Sequence, residues 1–483
     1  MERINAWKTY DAGTLKSCMD FADDYKEFLD QGKTERECID RFVNEAEANG
    51  YIELNEAVRE GKKLSAGDRI YSVWMNKTIA LFEIGTEPFE SGMNILGAHI
   101  DSPRLDAKQN PLYEDSDIAY LDTHYYGGIK KYHYVTLPLA IHGVIVKKSG
   151  ETVILRVGEE DDDPVFFVSD LLIHLSQEQL KKNASSVIEG EALDVIIGSR
   201  PLLINADTES GKEDKESGKK DKESGKEAVK QAVLKILSEY YGIEEGDFES
   251  AELEIVPAGR ARDAGFDRSM ILGYGHDDRV CAYPSFRAQI EMHDLSRTSC
   301  TLLVDKEEIG SVGATGMRSR FFENTLAEVM NLCGCYSELA LRRTLANSCM
   351  LSSDVSAAFD PSYASAFEKK NAAFLGRGLT FNKFTGSRGK SGSNDANAEY
   401  IAHLREIFDR EKVCTQTAEL GKVDIGGGGT IAYILALYGM NVIDCGVPVL
   451  SMHSPWEAVS KADLYEAYRG YKAFLTNASL RNQ

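Results

Sequence analysis

The chain predicts an α/β fold in which a mainly parallel central sheet flanked by helices is interrupted by an inserted β-rich domain. Three observations predict it. After residue 250, apolar runs of strand length alternate with helix-period segments; two strand-like runs lie before residue 104; and between about 105 and 250 short β-rich pieces follow one another with glycine turns. A length of 483 residues exceeds one ordinary core, so two domains are expected. Segments 1–104 and 251–483 would form one, and 105–250 the other.

Taken in order, residues 14–60 carry Leu15, Cys18, Phe21, Tyr25, Phe28, Ile39, Phe42 and Val43 at helical spacing, with charges between them. Strand-like runs follow at 79–84 and 93–100. The second ends in HIDSPR, where Pro103 disfavours continued regular structure and leaves polar side chains at the strand's carboxyl end. In the insert, YHYVTLPLAIHGVIVKK and ETVILRVG read as strands. SGKEDKE at 210–216 recurs as SGKKDKE at 217–223 and begins again at 224, and the stretch 207–227 has no apolar residue, so it reads as a solvated excursion without chemistry. Beyond 250 come SMILGYG, SCTLLVDKEEIGS, a helix over about 321–345, NSCMLSSDVS, and MNVIDCGVPVLSMHS followed by a final helix.

Composition excludes several function classes. Lys and Arg total 55 against 77 Asp and Glu, and a net charge of -22 repels phosphate backbones and anionic bilayers, so neither nucleic acid nor membrane is expected as a partner. There is no run of ~18 apolar residues to span a bilayer and no apolar stretch behind the N-terminal charges, which predicts a cytoplasmic protein. Nine cysteines without a CxxC pair read as reduced thiols, and Cys333 and Cys335 stand too close for a zinc knuckle.

Five segments place acidic or imidazole groups just after an apolar run: HID at 99–101, HDDR at 276–279, DKEEIGS at 305–311, SSD at 352–354 and SMHSP at 451–455. In open α/β sheets ligands bind beyond the carboxyl ends of the strands, so these segments can converge. Two His with three or four carboxylates and no Cys suit a divalent ion, zinc first, with cobalt or manganese as alternatives. Singly, each motif has an ordinary structural reading: a lone His near a strand end is more often a hydrogen-bonded core group, and a Glu pair is usually a solvated surface. The run Gly426 to Gly429 lacks the Gly-Lys-Ser/Thr ending of a phosphate loop. It reads instead as a close approach of backbone to substrate, or as the start of the helix TIAYILALYG.

The segments HIDSPRLDAKQ, GHDDRVCAY, DKEEIGSVGATG, SSDVSAAFDPSY and PVLSMHSPWEAVSKADLYEAYRGYKAFL resemble, in order from about 95 to 475, the motif set of the M18 family, the aspartyl aminopeptidases, in a bacterial-type member. A more distant likeness joins them to the M42 and M28 co-catalytic aminopeptidases. The resemblance implies a zinc-exopeptidase-like fold, an insert that serves oligomerisation, and removal of N-terminal residues from peptides with a free amino end. It implies two divalent ions: His99 would ligate one and His453 the other, Asp277 would bridge both, and Glu308 and Asp354 would each complete one side. The adjacent pair offers both Asp277 and Asp278 as the bridge, alignment with the family favours Asp277, and the resemblance implies a cis bond after the bridging Asp. Asp101 would accept the second ring N–H of His99, and Glu307 would act as general base on a water between the ions. His174 in DLLIHLS would reach a neighbouring subunit's site, in an assembly of the tetrahedral dodecamer kind.

Where such enzymes carry a basic side chain for acidic substrates, this chain has Thr380, leaving Lys383, Arg388 or Lys390 as substitutes. Broad or neutral specificity therefore stands beside Asp/Glu selectivity. A hydrolase of acylated amino acids and a non-enzymatic scaffold are the other readings weighed.

Overall fold

The computed structural model describes residues 4–202 and 227–479. The charged repeat at 207–227 lies outside the described residues except for Glu227. Two compact units form, Met1–Ser102 with Arg260–Gln483, and Pro103–Gly259.

The first unit is built on a nine-stranded mixed sheet. At its centre Ser299–Val304, Asn94–His99, Cys349–Ser353 and Asn441–Gly446 lie side by side and parallel. These strands are buried along nearly their whole length and mainly apolar, as a helix-covered parallel sheet requires. Thr78–Glu83 and Arg69–Trp74 extend one side antiparallel, and Leu379–Asn382 pairs antiparallel with Asn441–Gly446 on the other.

The helical reading of the N-terminal region resolves into Ala12–Gln31, Glu35–Ala48 and the short Leu54–Arg59. Asp11 caps the first, accepting the Thr14 N–H at 2.7 Å, and Thr34 and Glu37 form a capping box on the second. Their apolar stripes pack aromatic against aromatic: Phe28 lies 5.1 Å from Phe42 between ring centres, and Phe42 lies 4.6 Å from Phe286 of the helix His276–Glu291. The long helix anticipated over 321–345 is two, Phe321–Leu332 and Glu338–Ala346. Gly334 at φ +71 ends the first, and Ser337 caps the second through the Ala340 N–H, so the break is written in local turn chemistry. The apolar TIAYILALYG segment is helical only over Ala432–Ala436.

The second unit is an antiparallel six-stranded sheet, with Leu139–Val146, Ala251–Pro257 and Arg104–Asp115 at its centre. Its core gathers Leu105, Tyr134, Leu139, Ile145, Leu193, Val195 and Ile255, and the helix Ala228–Tyr241 packs Leu234 and Leu237 against it. All nine cysteines are free thiols. No helix among the described residues is long and apolar enough to cross a membrane.

Candidate active site

The register of the central strands decides where polar groups emerge. Val304 stands opposite His99, and Ser352 opposite Gly97, so the segments leaving these three parallel strands exit at one edge. His99 ends its strand; Asp305, Glu307 and Glu308 follow the second; Asp354 follows the third. Gly446 allows that last exit, because a Cβ there would lie 1.9 Å from the Asp354 carbonyl oxygen.

Asp277 and His453 arrive from a five-stranded sheet in the same unit. The strand Met270–Gly273 leads through Gly275, at φ +75, into His276 and Asp277. Tyr25 Oη and His276 Nδ1, 2.9 Å apart, hold that entry, and the buried Arg279 bonds the carbonyls of Ile100 and Lys33. His453 sits in the turn between Pro448–Leu450 and Glu457–Ser460, at φ +62.

Five side chains meet in two trios that share one member. His99, Asp277 and Asp354 form the first, and Asp277, Glu308 and His453 the second, with one ligand atom of each lying within 4.8 Å of the others in its trio. Asp277 faces both ways: Oδ1 is 3.3 Å from His99 Nε2, and Oδ2 is 3.1 Å from His453 Nε2. Glu308 Oε1 lies 3.5 Å from His453 Nε2, and Asp354 Oδ1 lies 3.8 Å from His99 Nε2. Asp278, by contrast, turns away to accept the His99 backbone N–H at 3.4 Å, and the bond joining it to Asp277 is cis.

Asp101 supports both the imidazole and the glutamates. Its Oδ1 is 3.2 Å from His99 Nδ1, and its two oxygens accept the backbone N–H groups of Glu307 and Glu308, each at 3.1 Å. This orients the Glu307–Ile309 turn so that Glu307 Oε2 lies 4.0 Å from His99 Nε2. His174 lies in the other unit, in the exposed turn Ile173–Leu175.

The charges are crowded and mostly buried. Burial, reinforced by Asp354, pushes Glu307 up to about 8, and burial with Asp277 pushes Glu308 well above the usual range. For Asp277 burial also acts upward, but His453 and His99 outweigh it and hold the carboxyl below its usual range. His99 resists the downward effect of burial because Asp101, Asp277 and Asp354 favour its charged form. Five acidic side chains, Asp101, Asp277, Glu307, Glu308 and Asp354, facing two imidazoles leave a deficit of positive charge. Divalent cations fit it: the donor set is nitrogen and oxygen only, and Glu308 Oε1 is buried without a hydrogen-bond partner.

Sequence reasoning passed over Glu457. It is 2% exposed, and its carboxylate accepts the backbone N–H of His453 at 2.7 Å and of Asp277 at 3.0 Å. Its one signal was an acid four residues after His453, at the head of the short strand Glu457–Ser460.

The family model for the aminopeptidase I zinc metalloproteases (M18) matches residues 28–475. A probable M18 family aminopeptidase 1 of Clostridium acetobutylicum is 60% identical over 476 residues, covering 99% of this chain and 98% of that protein. Among solved structures, the aminopeptidase I of Clostridium acetobutylicum aligns with a TM-score of 0.86 at 57% identity, over 99% of this chain and 100% of that one. The M18 aminopeptidase of Thermotoga maritima aligns with a TM-score of 0.90 at 42% identity and the same coverage. The chain belongs to the M18 family of zinc metalloproteases and is a metallo-aminopeptidase.

Proposed function

We propose that the chain removes single N-terminal residues from peptides at a two-metal centre held by His99, Asp277 and Asp354 on one side and Asp277, Glu308 and His453 on the other. The observation that supports it best is the sharing of Asp277 between the trios, one oxygen to each imidazole. Two ions bound there, zinc by the donor set, would polarise water and the scissile carbonyl.

The residues do the rest. Glu307 accepts a proton from the attacking water at Oε2 and passes it to the leaving amine nitrogen, acting as general base and then general acid. Its raised, near-neutral affinity for a proton suits both transfers, and bound cations would draw it downward from about 8. Asp101 fixes the turn that carries Glu307 and orients His99 from behind.

His174 is read as acting in a neighbouring subunit. Its turn is apolar and open, with Leu172 at 55%, Ile173 at 67% and Leu175 at 67% exposure, a surface suited to covering by a second copy of the chain. The proposed assembly is a homo-oligomer.

For the first residue of the substrate, the uncharged Thr380, at the position matched to the basic side chain of acid-selective family members, supports a neutral preference. Thr380 is buried and uncharged within the strand Leu379–Asn382, Lys383 and Lys390 share the single carboxylate Asp395 at 3.9 and 3.0 Å, and Arg388 is exposed. Apolar burial, worth about 25 cal/mol per Å2, then favours Leu or Met over Asp. A panel of aminoacyl-nitroanilides on zinc-loaded enzyme tests this: Leu and Met substrates are expected to be cleaved at least as fast as Asp and Glu substrates. A tenfold preference for Asp would overturn the specificity, and cleavage confined to N-blocked substrates would overturn the exopeptidase reading itself.

A further inference from the structure

Two carboxylates of the first unit each span a pair of backbone N–H groups belonging to the metal-site residues. Asp101 does so for Glu307 and Glu308. Glu457 does so for Asp277 and His453, which come from separate turns. Those turns leave the same strand pair: Gly273 stands opposite Glu457, and the chain runs from Gly273 through Gly275 to Asp277. His453 holds a left-handed backbone, at φ +62, that a non-glycine residue adopts only when its surroundings impose it. Its N–H donates to Glu457 Oε1, so this contact is made through the backbone.

We propose that Glu457 is a positioning residue that sets the distance between Asp277 and His453, and with it the grip on the ion of the Asp277, Glu308 and His453 trio. The inference rests on the two-ion reading above. Glu457 acts through the backbone N–H groups of two ligands. A carboxylate of this length accepts one N–H on each of its two oxygens. In a Gln the amide NH2 confronts one of them, and in an Asp the carboxylate is one methylene too short to reach both. Changing the outer partners of metal ligands typically weakens metal binding by about 10- to 100-fold.

The test needs a variant with the same structural cost and no link to the site. Asp463 supplies it: it is fully buried and accepts the N–H groups of Gly376 and Gly378, each at 2.6 Å, none of them a ligand or a neighbour of one. Metal-stripped wild type, Glu457→Gln, Glu457→Asp and Asp463→Asn are titrated with Zn2+ against a chelating dye, and circular dichroism checks that each is folded. Wild type and Asp463→Asn are expected to bind two ions with the same affinities. Glu457→Gln is expected to keep one ion at wild-type affinity and bind the other about 10- to 100-fold more weakly, with Glu457→Asp between the two. Should Glu457→Gln not fold, Glu457→Asp carries the comparison. Wild-type affinities in the Glu457 variants, or an equal loss in Asp463→Asn, would overturn the proposal. A wild type that binds a single ion would instead sink the two-ion reading, and Glu457 would still be judged by whether its variants loosen that ion.

Discussion

Glu307→Gln is expected to lower kcat by about 100- to 10,000-fold while the zinc content stays at the wild-type level. The substitution keeps the size of the side chain and the backbone N–H that Asp101 holds at 3.1 Å, so the turn and its neighbour Glu308 remain in place. It removes only the ability to take and return a proton. Steady-state hydrolysis of an aminoacyl-nitroanilide, with zinc measured on the same preparation, separates the outcomes. Residual kcat within a fewfold of wild type would mean that another group moves the proton; parallel loss of zinc would mean that Glu307 is a ligand.

Asp277→Ala should be more damaging to metal binding than any other single ligand change, because it takes one donor from each trio. Both ions are expected to be released at micromolar zinc, and hydrolysis to become undetectable. Asp354→Ala or Glu308→Ala, each a member of one trio only, should release one ion. Elemental analysis after gel filtration checks this. In the metal-free chain His453 and His99 hold Asp277, so its removal takes away their attraction as well as its repulsion of Glu308, and circular dichroism on the same preparation checks that metal is lost from a folded chain. Retention of two ions by Asp277→Ala would contradict the bridge.

What the sequence made legible follows from the range of the physics involved. A buried parallel strand writes its whole length as an apolar run, so Asn94–His99 and Ser299–Val304 are readable, and the acids just past their ends are the ones that meet. The break near Gly334 was also present locally, in a glycine and a capping serine, but a strong apolar period over 321–345 outweighed it. The choice between Asp277 and Asp278 was not legible, because both are carboxylates one residue apart. Only the turn after Gly275 decides which one faces the imidazoles. Glu457 was invisible for a different reason. Its partners are backbone N–H groups, which carry no residue identity, and one of them belongs to a segment far away in the chain. The resemblance to a known family supplied roles that spacing alone left open, such as the separation of Glu307 from Glu308.

The most direct test of the two-ion centre is a crystal of the zinc-loaded protein, with anomalous differences recorded on both sides of the zinc absorption edge. Two peaks about 3.5 to 4 Å apart are predicted, one among His99, Asp277 and Asp354 and the other among Asp277, Glu308 and His453. A single peak, or zinc bound elsewhere with these five side chains empty, would contradict it.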